Sequence, residues 1–330
     1  MTMGTMATAS FDKAKTMVSS MLNSALKETA DVKDGFNEFQ GLFVHDEVII
    51  EKTAAGAYKG EYPILGTSKS PTDLDKLIAD DFVEALLEWE MNKVQAVLLE
   101  FDERELKKNA YVRDRVDTAI TSIILADEQR LIDMIIYGHT ANSYNHNRST
   151  WIGSTDYFYA NDHSWNISGA NDNSLTYTVG ATLPTVTEML VAWNTIVATF
   201  MGFKNDQGRQ IHRQLGKTMI CCSPIMIGLF KETFEAYSHY RAGYAKENVY
   251  MKDAPTIWAD SRFTDSHNNA SFWVFVQAKP PALVKSIVEK PYTRMWTVEP
   301  QELTYVKAAD FQEYVYGDFR NSIRMFDSGA

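Results

Sequence analysis

The chain has 330 residues, 45% of them hydrophobic and 12% aromatic, with 32 Lys and Arg against 43 Asp and Glu for a net charge of −11. A chain of this length can bury a core without staples. No apolar run approaches the roughly eighteen residues that a membrane span requires, and the surplus of acid works against broad nucleic-acid binding. Cys221 and Cys222, the two cysteines, are adjacent; they cannot supply a four-ligand zinc site and read as small buried hydrophobes. The N-terminus, MTMGTMATASFDKAK, lacks the basic-then-apolar order of a signal peptide, which predicts synthesis in a reduced, intracellular compartment.

Phe11, Ala14, Met17, Val18, Met21, Leu22, Ala25 and Leu26 fall at helical spacing and predict a helix over 10–28 with one apolar face. From about 40 to 106 periodicity weakens. Gly56, Gly60, Pro63, Gly66 and Pro71 punctuate a two-armed excursion with a polar tip. Behind it, MNKVQAVLLEF alternates at Val94, Ala96 and Leu98, the pattern of a half-buried strand.

Asn109 can cap a helix that runs to Tyr137 and stops at Gly138. Its stripe is Val112, Val116, Ile120, Ile123, Ile124, Leu131, Met134 and Ile135, interrupted at Asp127. At 1.5 Å per residue this is a rod of roughly 42 Å. The polar, asparagine-rich stretch 139–183 follows and includes DYFYANDHSWN. Thr185-Val186-Thr187-Glu188 is a capping box ahead of a helix with Met189, Leu190, Trp193, Ile196, Val197 and Phe200 inward. KTMICC (217–222) reads as a buried strand, and Ser223-Pro224 opens a third helix over 225–238. Beyond Gly243, SFWVFVQA, TRMWTV, LTYVK and ADFQEYVYGDF are short aromatic and β-branched strands separated by prolines. Helices first and strands later predict an α+β fold with a mixed or antiparallel sheet.

Charge is unevenly spread. Between Asp73 and Glu105 eleven acids face three bases, so this stretch supplies eight of the eleven surplus negative charges. Such a segment repels its own copies and suits an arm that lies on a basic part of a neighbour. The expected contacts are Glu84, Glu88, Glu90 and Asp102 on the arm and Arg209 and Arg213 on the receiver, where Lys204, Arg209, Arg213 and Lys217 oppose only Asp206.

Catalytic signatures are missing from the sequence. The seven histidines form no HExxH, GEYPILGTS is no phosphate loop, and neither GxSxG nor GxGxxG occurs. The alternative reading that is an enzyme is a metal-assisted hydrolase or isomerase using Asp162 and His163. Adjacent residues in an extended segment point to opposite sides, however, and no converging partners can be named. DYFYANDHSWN therefore reads as a structured loop. No enzyme activity and no cofactor are expected.

The order of elements resembles the major capsid proteins of tailed phages with the HK-97-type fold, and within them the Mu-like major head subunits. The motifs that carry the resemblance are the aromatic-to-histidine segment Phe158–His163, the turn Asn205-Asp206-Gln207-Gly208, and the apolar strand from Thr218 to Pro224. They span residues 55–240 with 308–326. The resemblance implies an N-terminal arm (1–54), an extended loop (55–106), a peripheral domain with the spine helix (107–183), an axial α/β domain (184–307) and a returning peripheral strand (308–330). It implies self-assembly into pentamers and hexamers of an icosahedral shell around phage DNA; the alternative within the same class is another virion part, such as a tail or decoration protein, built from similar arms. It also implies a separate scaffolding protein and a portal, non-specific DNA contact at most, no membrane, and a place in the virion after synthesis in the bacterial cytoplasm.

Overall fold

The computed structural model describes residues 3–31, 35–54, 56–65, 83–91, 95–106, 108–140, 157–161, 163, 172–180, 183–204, 208–236, 238–241, 244–248, 253–264, 270–298 and 303–327. Helices α1 (Met3–Asp31) and α2 (Gly35–Phe43) lead into β1 (Val44–Val48). A hairpin of β2 (Tyr58–Leu65) and β3 (Val83–Met91) precedes β4 (Gln95–Phe101), a short α3 (Glu103–Leu106) and the long α4 (Asn109–Tyr137). Then come β5 (Ser174–Tyr177), α5 (Val186–Gly202), β6 (Thr218–Cys222) and α6 (Ile227–Glu235). A small hairpin, β7 (Ser238–Arg241) with β8 (Tyr244–Glu247), is followed by β9 (Thr256–Ala259) and β10 (Phe272–Val276). Strands β11 (Leu283–Val298), β12 (Leu303–Tyr316) and β13 (Ser322–Asp327) complete the described chain.

Two sheets organise the molecule. The first has the order β1-β11-β12-β4 and the second β5-β13-β10-β6-β9. In the first, β11, β12 and β4 are antiparallel and β1 adds to β11 in parallel. Helices α1 and α4 cover one face of it: Val18 and Leu22 of α1 and Val112, Val116, Ile120 and Ile123 of α4 share a cluster with Phe101, Val306 and Ala308.

Helix α4 spans the residues its periodicity predicts, but its ends are made differently. Lys108 stands at the N-cap without a side-chain cap bond, and Asn109 is already helical. Gly138 keeps a right-handed φ of −61°, so it is not a left-handed terminator. A Cβ there would lie 2.9 Å from the Tyr159 ring; glycine is required because the 157–161 loop closes down on the helix end.

Strand β4 is shifted by one residue in phase from the reading at Val94, Ala96 and Leu98. Val97, Leu99 and Phe101 face the helices, whereas Leu98 is 58% exposed. Alternation alone cannot tell the two faces apart where both carry apolar residues; pairing of Leu99 with Val306 decides it. The four short strands expected at the C-terminus are also fewer and longer. TRMWTV is the outer half of β11, and LTYVK and ADFQEYVY are one strand, β12. Pro291 is tolerated because the β11–β12 register shifts between Glu289 and Tyr292, and a bulge is where a strand can lack a donor. A boundary at 307/308 thus falls inside a single strand, and β13 belongs with β10 and β5 in the second sheet.

The second sheet is wholly interior at its centre: every residue of β10 is buried. Residues of α5 and α6 (Met189, Trp193, Ile196, Phe200, Phe230, Phe234) pack with Phe272, Val274 and Ile220 on one side. Trp273, Phe275 and Cys221 face the core shared with α2, α4 and the first sheet. The capping box at α5 is present, with the Glu188 N–H donating to the Thr185 hydroxyl at 3.3 Å and the Thr185 N–H donating to the Glu188 carboxylate at 2.7 Å. Helix α6 is shorter than the expected 225–238. A 3₁₀ turn covers Pro224–Met226, Ser223 makes no side-chain cap bond, and the helix ends at Glu235 because the Asn248 amide nitrogen reaches the carbonyls of Thr233, Phe234 and Ala236.

Candidate functional site

The first candidate is the loop around His163. Asp162 and Trp165 lie outside the described residues. Phe158, Tyr159, Ala160 and His163 are buried. The His163 Nε2 is 3.1 Å from both the Phe158 carbonyl and the Asn173 Oδ1, and two acceptors fix that nitrogen as a donor. The ring stacks on Phe319 at 3.9 Å between centroids. Asn173 closes the arrangement: its amide nitrogen donates to the carbonyls of Phe158 (2.8 Å) and Phe319 (3.1 Å), and its Oδ1 accepts from the Ala160 N–H. These bonds satisfy backbone groups of a buried loop. A ring 1% exposed with its Nε2 occupied is a structural pin, and among the described residues nothing supports the hydrolase or isomerase alternative. The cysteines are equally closed to chemistry, since burial pushes the Cys222 thiol up to about 12 and Cys221 well above its usual value.

The second candidate is the β2–β3 hairpin. Its root is anchored: Trp89 and Met91 are buried in the core, and Tyr58 meets Phe311 of β12 edge-on at 5.1 Å. Gly60 pairs with Trp89 across the hairpin, and a Cβ on it would enter the indole, 2.3 Å from the nearest ring atom. Glu88 and Glu90 alternate with Trp89 and Met91 and so take the other face. Lys59 donates to Glu61 at 2.5 Å and to Glu88 at 2.8 Å, and these carboxylates hold its amine well above the ordinary lysine value. Glu90 stays exposed. Glu84 lies on β3, four residues before Glu88, while residues 66–82, which carry much of the acidic run, lie outside the described residues. Asp102 is not on the hairpin. It follows β4 and exchanges bonds with Glu105, accepting from the Glu105 N–H and donating its own N–H to the Glu105 carboxylate at 3.1 Å, as a cap for α3.

The receiver expected opposite it is the loop after α5. Arg209, Arg213 and Lys217 are exposed. The loop is fixed by the Ile211 N–H to the Phe203 carbonyl and by the Gln277 N–H to the Lys217 carbonyl. That second bond brings exposed Lys279 beside the strip, 62 residues away in sequence; only pairing of β6 with β10 could have revealed it.

A fourth feature is the interruption of the α4 stripe at Asp127. Its carboxylate accepts from Lys285 at 2.8 Å and Tyr314 at 3.1 Å. Arg130 reaches Asp127 (3.3 Å), Asp310 (3.0 Å) and the Gln312 carbonyl (2.7 Å), and Gln40 of α2 bonds Tyr314. Two acids and two bases balance. Burial raises the Asp310 carboxyl, Arg130 opposes that rise, and Asp127 adds to it. The cluster ties α4 to β11 and β12 where the apolar stripe stops.

No family model and no curated protein matches the chain in sequence. Solved structures match over almost its whole length. The mature capsid of bacteriophage PhiM1 is 11% identical with a TM-score of 0.53, over 91% of this chain and 88% of that one. A virus-like particle from Pyrococcus furiosus is 9% identical with a TM-score of 0.50, over 96% and 98%. The capsid of the cyanophage P-SCSP1u is 11% identical with a TM-score of 0.50, over 87% of each chain. At these identities the likeness is one of fold. The chain has the HK-97-type α+β fold.

Proposed function

We propose that the chain is a shell-forming protein, the major capsid subunit of a tailed phage or a related particle. The observation that carries this is the likeness to the PhiM1 capsid subunit across about nine-tenths of both chains. The geometry above supports the same reading, because His163 is used internally while a charged hairpin and a basic strip are left on the surface. In this reading the hairpin is the extended loop and α1 the N-terminal arm. The first sheet with α4 forms the peripheral part, and the second sheet with α5 and α6 the axial part. The short motifs Phe158–His163, Asn205–Gly208 and Thr218–Pro224 support the finer reading of a Mu-like head subunit. Its partners are further copies of itself, a separate scaffolding protein, a portal and, non-specifically, packaged DNA. It is made in the host cytoplasm, ends in the virion, and has no catalytic role.

The contact proposed between copies sets the hairpin acids Glu84, Glu88 and Glu90 against Arg209, Arg213 and their neighbours Lys217 and Lys279. A closed symmetry repeats that contact around the shell, and opposite charge sets register and encounter rate more than affinity. Light scattering with negative-stain microscopy tests it. Purified protein should give rings, shells or tubes, and reversal of Glu84, Glu88 and Glu90 to lysine should stop assembly with circular dichroism unchanged. Normal assembly of that variant would discard the contact, and a metal-dependent activity lost in His163→Ala would discard the structural role.

A further inference from the structure

The chain passes between its two sheets in segments 138–173, 277–282 and 317–321, and the described parts of all three meet at one place. The Gly317 and Asp318 N–H groups donate to the carbonyls of Ala282 (2.8 Å) and Pro281 (2.9 Å). The Asn321 amide donates to the Pro280 carbonyl at 2.6 Å. From the third passage Asn173 donates to the Phe319 carbonyl, and His163 stacks on the Phe319 ring. The loop after α5 adds His212, whose Nε2 is 3.1 Å from the Arg320 carbonyl. At the centre the buried Arg320 guanidinium forks onto Asp318 at 2.8 and 2.9 Å.

Two buried histidines therefore hold consecutive residues of a single strap, Phe319 and Arg320. We propose that this junction is a proton-sensitive lock: with His212 neutral it fixes the two sheets to each other, and protonation of that ring releases the strap. The Nε2–H of His212 is engaged with the Arg320 carbonyl, so an added proton goes to Nδ1 and places a cation in a buried site, which is costly unless it is paired. The charged groups facing His212 are Arg320, which opposes a second cation, and Asp318, which favours one but is already bridged by Arg320. The Asn321 side chain and the Phe200 ring complete its surroundings.

The sign follows from burial. Desolvation lowers the His212 value from its usual 6.5, and its bond to the Arg320 carbonyl only partly offsets this. A group depressed in the folded state contributes stability that is present above 6.5 and is lost as pH falls through the depressed value. The lock belongs to the subunit itself and does not depend on the assembly reading.

Amide hydrogen exchange of the full chain, corrected for intrinsic rates and read by mass spectrometry between about pH 7 and about pH 5, tests it. Exchange in 204–216 and 317–323 should rise about tenfold or more across that range while β6 and β10 stay protected. In His212→Gln, whose amide can still donate to the Arg320 carbonyl but cannot titrate, the rise should move down by about one pH unit or more. Flat protection in the wild type, or an unchanged profile in His212→Gln, overturns the lock. Should His212→Gln not fold, C2–H exchange of the wild-type imidazoles decides instead: a His212 midpoint at or above the ordinary value overturns the proposal, and a lower one supports it.

Discussion

Strands β10 and β3 lie in the same chain and obey opposite rules. Every side chain of β10 is buried, on both faces of the second sheet, and none of them carries a charge. On β3, buried Trp89 and Met91 alternate with Glu88 and exposed Glu90. The first pattern is that of a strand covered on two sides; the second anchors by one face and offers the other. Burial is complete along β10, whereas the hairpin and the 208–217 loop carry exposed charged side chains, so the covered sheet is where stability is expected to concentrate.

The sharpest way to break this contrast is Trp273→Ala. The indole is fully buried in the shared core, and its loss should cost about 3–5 kcal/mol, read from the midpoint of chemical denaturation. A loss below about 1 kcal/mol would mean that the central sheet is not where stability resides. Next is Asn173→Ala, which removes the bonds to Phe158, Phe319, Ala160 and His163 together. Buried groups left unpaired cost about 1–3 kcal/mol each, so a fall of about 3 kcal/mol is expected, with faster amide exchange confined to the junction. Smaller still is Thr185→Ala at the α5 cap, about 1 kcal/mol in thermal or chemical denaturation. That cap also depends on pH. Bonds from Thr185 and Gly180 lower the Glu188 carboxyl below its usual 4.5, so its support is present above that value and disappears as pH falls through the lowered one.

How much of this was legible in the sequence follows from the range of the interactions. Helix α4 was readable to within one residue because 3.6-residue periodicity is local, and the α5 capping box is a four-residue motif. The two long strands were cut in pieces because Pro291 looks like a break and because nothing local joins LTYVK to ADFQEYVY. The first is absorbed by a bulge and the second is carried across by pairing with β11 and β4, and both need partners from far along the chain. His163 showed its chemistry but not its use, since Asn173 and Phe319 lie 10 and 156 residues away. Lys279 escaped notice for the same reason. The charge run of the hairpin was plain, whereas the self-pairing of Lys59 with Glu61 and Glu88 depends on the register of β2 against β3.

That self-pairing sharpens the comparison at its smallest expected effect. Lys59→Met removes both ion pairs at the exposed hairpin. Exposed pairs contribute little to stability because solvent and salt screen them, so the thermal midpoint should stay where it is. The hairpin, however, loses its local counter-charge: Glu61 and Glu88 become two unneutralised acids beside Glu90. If the hairpin meets a basic strip on another copy, association should become faster at low salt and more strongly salt-dependent, since freed charge steers encounter. The check is the rate of assembly by light scattering across a salt series, alongside a melting curve of the same preparation. A shifted melting curve would show that the hairpin belongs to the subunit's own stability. An unchanged curve with an unchanged salt dependence would show that its acids face no cation on a neighbour, and the receiving surface would then have to be sought away from Arg209 and Arg213.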